Sequence, residues 1–347
     1  MRRTNLLWIA CGLLLVSCTG RPLDEEAYRR ARPSAGLAHT CTLLTEGDVV
    51  CWGEDANGES TPPEDTVFLS VSSGQSHTCG LTNDRNAVCW GLDAEGQATA
   101  PADTKFFSVV SGRLHSCGID FNKEVVCWGC GNGGGECTAG LEPAEIPEGR
   151  YDEIDLGDFH TCGVTDQYEL RCWGLGSIGR TAAPEGLYIT VSSGGLHNCA
   201  LSTSNLAVCW GCGDGVNACE GFDYGQAIPP DDIFVQITVG GLHSCGLRPD
   251  GTVECWGCGD GLTACGNVDY GQATPPEGSF ISVSAGVYHT CAQREDGSIE
   301  CWGWDAYGQS TPPETLEPPP DEPSDPTEPA EPGDTTGGPG RLPTPGG

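Results

Sequence analysis

Seven histidines, each two residues ahead of a cysteine, are the side chains of this sequence best placed for chemistry. His39, His77, His115, His160, His197, His243 and His289 each open the pattern H-[TSN]-C, nine residues, C-W-G, and they are all the histidines present. An imidazole beside a thiolate could ligate a metal or form a nucleophile–base pair. Three repeats add Cys127-x2-Cys130, Cys209-x2-Cys212 and Cys255-x2-Cys258, the ligand spacing of a zinc site, with four cysteines per long repeat. The other four repeats hold only the C-x9-C pair and could not build such a site alone. One histidine per repeat cannot converge on one ion either, because ligands must stand within about 2 Å of it. A structural role is therefore expected, each histidine hydrogen-bonded within its own repeat. Asp55, Asp93 and Asp305, which follow W-G-x, suit turns better than a catalytic pair. Asp214 with Asn217, and Asp260, sit in Gly-rich loops that explain them without a cation. The sequence has no G-x-S-x-G, no H-E-x-x-H and no EF-hand spacing, and it implies no cofactor and no metal.

What must position these residues is a repeat with a period of 37 to 46 residues. The full unit reads F-x-x-V-S-x-G-x-x-H-T-C-x-L, a turn, x-V-x-C-W-G-x-D-x-x-G-Q-x-T-P-P, which gives short strands punctuated by Gly and Pro and no helical period. If Cys291 faces Cys301, Arg294 and Ser298 close the hairpin around Glu295-Asp296-Gly297. Counting back in twos makes the cysteines a non-hydrogen-bonded pair with Cα atoms about 4.5 Å apart, within disulfide range. Such loops want a left-handed residue last. Gly47, Gly251 and Gly297 supply it and Asn205 substitutes, whereas Arg85, Lys123 and Tyr168 fit poorly and predict different turns.

Cysteine arithmetic agrees. Of 22 cysteines, Cys11 falls in an export signal and Cys18 at its end. Seven hairpin pairs follow: Cys41–Cys51, Cys79–Cys89, Cys117–Cys127, Cys162–Cys172, Cys199–Cys209, Cys245–Cys255 and Cys291–Cys301. The six left form C-x6-C staples, Cys130–Cys137, Cys212–Cys219 and Cys258–Cys265, in the three repeats followed by spacings of 45, 46 and 46 rather than 37 or 38. Nothing is left over, as an oxidising compartment requires.

The ends carry a different logic. Arg2 and Arg3 precede an apolar run, Leu6 to Val16, that reads as a signal peptide over 1–17. Leu15-Val16-Ser17-Cys18 resembles the lipobox of bacterial lipoproteins, which implies lipidation of Cys18, and Thr19 after it implies the outer membrane. Residues 18–33 would be the lipidated tether, 34–313 the repeat domain and 314–347 a disordered Pro-rich acidic tail. Counting back from His39 puts Arg30 and Pro33 where other repeats have an aromatic and a Val or Ile, so the first strand of repeat one is degenerate. The tail has Pro318 at the aromatic position and supplies no replacement, so closure must come from Arg30 to Ser34 or from packing alone.

Seven copies of G-x-x-H-T-x-x-L and x-V-x-x-W-G-x-x-x-x-G-Q resemble the repeat of the regulator of chromosome condensation 1 family, nearest to its short bacterial members of the β-lactamase inhibitor protein II type. The resemblance covers residues 34–313 and implies an all-β fold, a seven-bladed β-propeller, with hairpin cystines buried between blades where that family has small apolar residues. It implies a scaffold for recognition rather than a reaction.

A formal charge of −33 excludes nucleic acid and favours cations or a basic protein surface. The position before G-Q varies within the fixed frame, as Asn57, Glu95, Ile178, Tyr224, Tyr270 and Tyr307. Tyr224, Tyr270 and Tyr307, joined by Trp304, make a candidate partner-binding patch, because loops on rigid scaffolds carry recognition and aromatics dominate hot spots. The expected function is a monomeric, surface-anchored lipoprotein that binds an unknown protein or envelope component. An extracytoplasmic hydrolase or lyase using the central cavity, and a passive envelope protein, are the alternatives.

Overall fold

The computed structural model describes residues 32–44, 46–130, 145–216, 219, 221–262 and 265–316. They form seven separate antiparallel sheets of three strands, one per repeat, in the order inner, middle, outer. In blade 7 these are Ser282–Ala285, His289–Gln293 and Ile299–Gly303. In blade 4 they are Tyr151–Leu156, His160–Thr165 and Leu170–Gly174. This is the all-β, seven-bladed propeller that the repeat count implies.

The hairpin register is the expected one. Cys291 stands opposite Cys301 and Cys41 opposite Cys51, with the same pairing in the five other blades. All seven pairs are disulfides with Cα separations of 4.0 or 4.1 Å. Cys212–Cys219 and Cys258–Cys265 are also joined. Cys130 is disulfide-bonded, while Cys137, its expected partner, lies outside the described residues, as do Cys18 and the tail after Leu316. So many disulfides mark the chain as extracytoplasmic.

The turns correct one expectation. Arg85, Lys123 and Tyr168 adopt φ of 64°, 67° and 65°, the same left-handed region as Gly47, Gly251 and Gly297. Arg85, Lys123 and Tyr168 donate their N–H to Thr82, Asp120 and Thr165, just as Gly297 donates to Arg294. The hairpin geometry, fixed by the cystine pair, overrides the side chain's reluctance and holds these residues where glycine would rest at lower cost.

The core lies between blades. The cystine and the Leu or Val of one blade pack on the Phe or Tyr, the Val or Ile and the Trp of the next: Cys199 and Leu201 meet Phe234, Ile237 and Trp256. The same cluster forms from Cys79 and Leu81 with Phe106, Val109 and Trp128. Among the described residues blade 1 shows no aromatic at this place, in keeping with its degenerate sequence. Its inner strand is Pro33–Ala35, paired with His39–Leu43, so the first blade is complete in strands, and among the described residues no apolar cluster of this kind joins it to blade 7.

Polar contacts supply that junction. Each histidine sends Nε2 to the hydroxyl or amide that follows the histidine of the next blade, in contrast to the intra-repeat bonding expected from sequence. His39 reaches Thr78 at 2.8 Å, His115 reaches Thr161 at 3.0 Å, His197 reaches Ser244 at 2.7 Å, and His289 returns to Thr40 at 2.8 Å. Strand alternation is the reason: histidine and cysteine share one side of their sheet, and that side faces the neighbouring blade.

The recipient must accept and donate at once. Thr40 Oγ1 gives its only proton to the Gln309 carbonyl at 3.1 Å, so the proton between Thr40 and His289 comes from Nε2. Asn198 does the same with two atoms, Oδ1 facing His160 at 2.6 Å and Nδ2 donating to the Arg180 carbonyl at 2.9 Å. Only residues with both capacities fit, which explains the T, S or N after each histidine. The same carbonyl takes the indole N–H of the blade's Trp: Trp52 to Gln309 at 2.9 Å, Trp256 to Gln226 at 2.9 Å, Trp210 to Arg180 at 2.9 Å.

Candidate functional site

Backbone hydrogen bonds define two faces. Hairpin turns meet the start of the next inner strand on one: Phe106 donates to Arg85, and Tyr151 to Lys123. On the other, the Gly-x-x-His turns meet the loops that follow Trp-Gly: Trp304 donates to Tyr288, and Cys258 to Leu242. The stapled loops belong to this second face.

It also holds the aromatic residues singled out from sequence. Trp304 lies 5.5 Å from Tyr307 and 6.1 Å from Tyr270 between ring centroids. Tyr288 joins them, 5.9 Å from both Trp304 and Tyr270. Tyr270 and Tyr307 are 40% and 51% exposed, enough for a partner to cover, while Trp304 and Tyr288 are half-buried. Tyr224 makes no ring contact with Tyr270, Trp304 or Tyr307 among the described residues and meets the patch only beside Tyr288. It packs with Leu196 and Tyr288 on a separate cluster of Leu242, Cys258 and Cys265, its hydroxyl donating to Gly221 at 2.7 Å.

The loops owe their shape to the buried Gln of G-Q. Gln309 Oε1 accepts the N–H of Tyr307 at 2.9 Å, and Gln272 and Gln226 accept those of Tyr270 and Tyr224 at 2.8 Å. One residue thus fixes the tyrosine backbone through its side chain and the next blade through its carbonyl. Asp305 closes the loop from outside by accepting from Ser310 N–H at 2.7 Å and the Thr311 hydroxyl at 2.8 Å. Asp55 and Asp93 repeat this, which is the turn role expected of them.

Tyr288 was not among the candidates from sequence, although it stands at a variable place inside the rigid G-x-x-H turn. The same place gives Phe159 in blade 4, over which Arg113 lies at 4.8 Å. Beside it a groove of ≈ 440 Å³ runs between Phe159, Leu175, Ile178, Leu196 and Phe222. Ile178 is a β-branched residue at φ 58°, a strained position. Over the axis, Asp158 accepts from Gln75 at 2.9 Å and pairs with Arg113 at 3.3 Å, and burial raises its pKa despite that pair.

The central channel is lined by inner strands. A ring of glycines narrows it: a Cβ on Gly286 would overlap the Gly36 carbonyl, and one on Gly36 the Gly74 carbonyl. These glycines line a cavity of ≈ 160 Å³, and the inner strands beyond it open into a mouth of ≈ 660 Å³. Burial pushes Asp155 up to about 6 and Glu153 up to about 7. Both carboxylates come from one strand and are held by blade 5, Asp155 by Ser193 N–H at 2.7 Å and Glu153 by the Thr190 hydroxyl at 2.7 Å. They do not converge from different blades as an acid–base pair would. Burial also pushes His160 down to about 4 and the other six histidines to about 3, so the whole ring is neutral. Among the described residues no group of three or more His, Cys, Asp or Glu side chains could hold a metal ion.

Known proteins agree with this architecture. The ectodomain of the receptor kinase CR4 from Physcomitrella patens is similar over 79% of this chain and 73% of its own, at 24% identity and a TM-score of 0.62. The CRINKLY WD40 ectodomain of the Arabidopsis thaliana receptor kinase ACR4 is similar over 79% and 96%, at 21% identity and 0.61. Prp20p from Saccharomyces cerevisiae, described with its binding to Gsp1p and histones, is similar over 82% and 84%, at 17% identity and 0.60. No curated protein sequence matches significantly. The model of the regulator of chromosome condensation (RCC1) repeat matches residues 34–59, 68–97, 234–272 and 280–309. The chain is a disulfide-stapled, seven-bladed propeller whose blades 1, 2, 6 and 7 match the RCC1 repeat.

Proposed function

We propose that this protein is a lipid-anchored, extracytoplasmic binding module that recognises a protein or envelope component through the face carrying Tyr270, Tyr288, Trp304 and Tyr307. The observation that carries this reading is the contact of those four rings on loops locked by buried glutamines and a cystine. Rigid, partly exposed aromatics lose little conformational freedom when a partner covers them, which suits them to hot spots. The acidic surface selects a partner of opposite charge. Cys18 would hold the monomeric domain at the outer membrane, and no reaction is required of it.

The test compares capture from native envelope by residues 19–313 and by the same domain with Tyr270, Trp304 and Tyr307 changed to Ala. Specific partners present with the first and lost with the second support the reading. Equal capture by both sinks it.

A further inference from the structure

The face opposite the aromatic cluster has its own composition. Ten of the seventeen exposed large hydrophobic residues among those described lie on the hairpin turns and strand starts of this face. They include Leu69 (38% exposed), Phe107 (57%), Phe121 (59%), Leu187 (55%), Ile189 (44%) and Val235 (52%), spread over blades 2 to 6. Three of the inner strands concerned carry a bulge between the first and third residues, as between Phe106 and Ser108, which turns Leu69, Phe107 and Ile189 outward, while the same bulge in blade 4 turns out Asp152. Phe107 and Val235 stand in the wall of the ≈ 660 Å³ channel mouth. Soluble surfaces seldom gather this much apolar area without a partner for it.

The chain itself indicates what covers it. Arg32, the first described residue, stands in the wall of the same mouth. Cys18 is fourteen positions upstream, a reach of at most about 50 Å for an extended chain. A tether from an acyl group there would enter the domain from this face and not from the aromatic one. Ion pairs offset part of the acidic charge at this face, Lys123 with Asp152, Arg150 with Asp166, and Arg248 with Asp232 and Glu254, while Asp48, Asp84, Glu295 and Asp296 stay exposed on its hairpin turns, so docking must rest on the apolar tips.

We propose that the hairpin face is a membrane-docking surface, whose apolar tips enter the headgroup region and hold the propeller flat with its aromatic face turned away from the bilayer. The proposal rests on the lipid-anchor reading for its orientation, but the docking itself depends on the apolar tips. Weak apolar insertion adds to one lipid anchor as a second, cooperating attachment.

Two measurements test it. In the first, the full chain is exported behind a cleavable signal with Cys18→Ser, with and without Leu69→Ser, Phe107→Ser, Leu187→Ser and Val235→Ser. Each is floated with dioleoylphosphatidylcholine vesicles. The chain with native tips should bind, and the four substitutions should lower binding at least tenfold with unchanged melting. In the second, hydrogen exchange of the acylated full chain is compared with and without these vesicles. Amides 67–69, 105–107, 187–189 and 233–235 should slow at least tenfold in vesicles, while 304–308 do not. Equal protection on both faces, protection of 304–308 alone, or protection without vesicles overturns docking, as does capture of an envelope protein by these tips in place of lipid. Mass analysis of residue 18 is read separately: an unmodified Cys18 removes the anchor reading and leaves the flotation result to decide docking.

Discussion

Nε2 of His289 lies 2.8 Å from Oγ1 of Thr40, joining the last blade to the first across 249 positions of sequence. Because no aromatic inner-strand residue packs at that junction among the described residues, it leans on this bond and its continuation to the Gln309 carbonyl. Thr40→Val leaves a buried imidazole N–H without an acceptor and should cost about 2–3 kcal/mol. Thr40→Asn, which keeps a donor and an acceptor as Asn198 does, should recover most of it. Urea unfolding midpoints of the two variants give the comparison.

Acid should unfold the domain through the same ring. Each buried histidine has a folded pKa near 3 or 4 against 6.5 unfolded, so unfolding takes up protons between those values. The stability is fully present above pH 6.5 and is lost as pH falls towards 3, at up to about 1.4 kcal/mol per pH unit for each histidine. Glu153 and Asp155 act in the opposite sense, since their raised values give stability present at low pH and lost as pH rises through about 7 and about 6. With seven histidines against three carboxylates raised by burial, Glu153, Asp155 and Asp158, the melting temperature should fall steadily from pH 6.5 to 4. Glu153→Gln with Asp155→Asn should raise it at pH 8 more than at pH 5. A melting temperature flat between pH 4 and 6.5 contradicts the neutral ring.

Glycine substitutions should separate the channel from the hairpin tips. A Cβ on Gly240 would overlap the Gly286 carbonyl and the His243 ring, whereas one on Gly297 meets nothing within 4 Å. Gly240→Ala should cost about 3 kcal/mol or more. Gly297→Ala should cost about 1 kcal/mol, from its φ of 91° alone. Thermal melts of both proteins would show the ranking.

The seven hairpins should also behave as separate staples. Replacing Cys291 and Cys301 with Ala opens an eleven-residue loop and should cost roughly 2.5 to 3 kcal/mol. Peptide mapping without reduction should recover every described cystine inside its own hairpin or stapled loop. Cross-blade cystines contradict the register.

Sequence carried the fold well because its signals are local and repeated. The Cys291 to Cys301 register, the Glu295-Asp296-Gly297 loop and the blade count all follow from spacing within a single unit. What failed was contact between units. The histidines were expected to bond within their own blades, but alternation says only which side of a sheet a residue takes, not which neighbour lies there. The turn residues Arg85, Lys123 and Tyr168 were misjudged because intrinsic preference of about 1 kcal/mol is small beside a fixed hairpin. At the candidate site, Tyr270, Trp304 and Tyr307 were legible as aromatics in variable loops. Tyr288 was not, since it comes from a different turn and joins them only when blades 6 and 7 stack. Tyr224 shares their repeat position, yet the interior staple Cys258–Cys265 and Leu242 draw it aside.

The contacts that join blade 7 to blade 1 are of the same kind as those at the other junctions: histidine to hydroxyl, indole to carbonyl, glycine against glycine. Among the described residues no strand from one end of the chain latches the other. The polar half of every junction is therefore the same, wherever in the ring the chain starts. Linking residue 316 to residue 32 and opening the chain between blades 2 and 3 should return the same disc from a reordered gene.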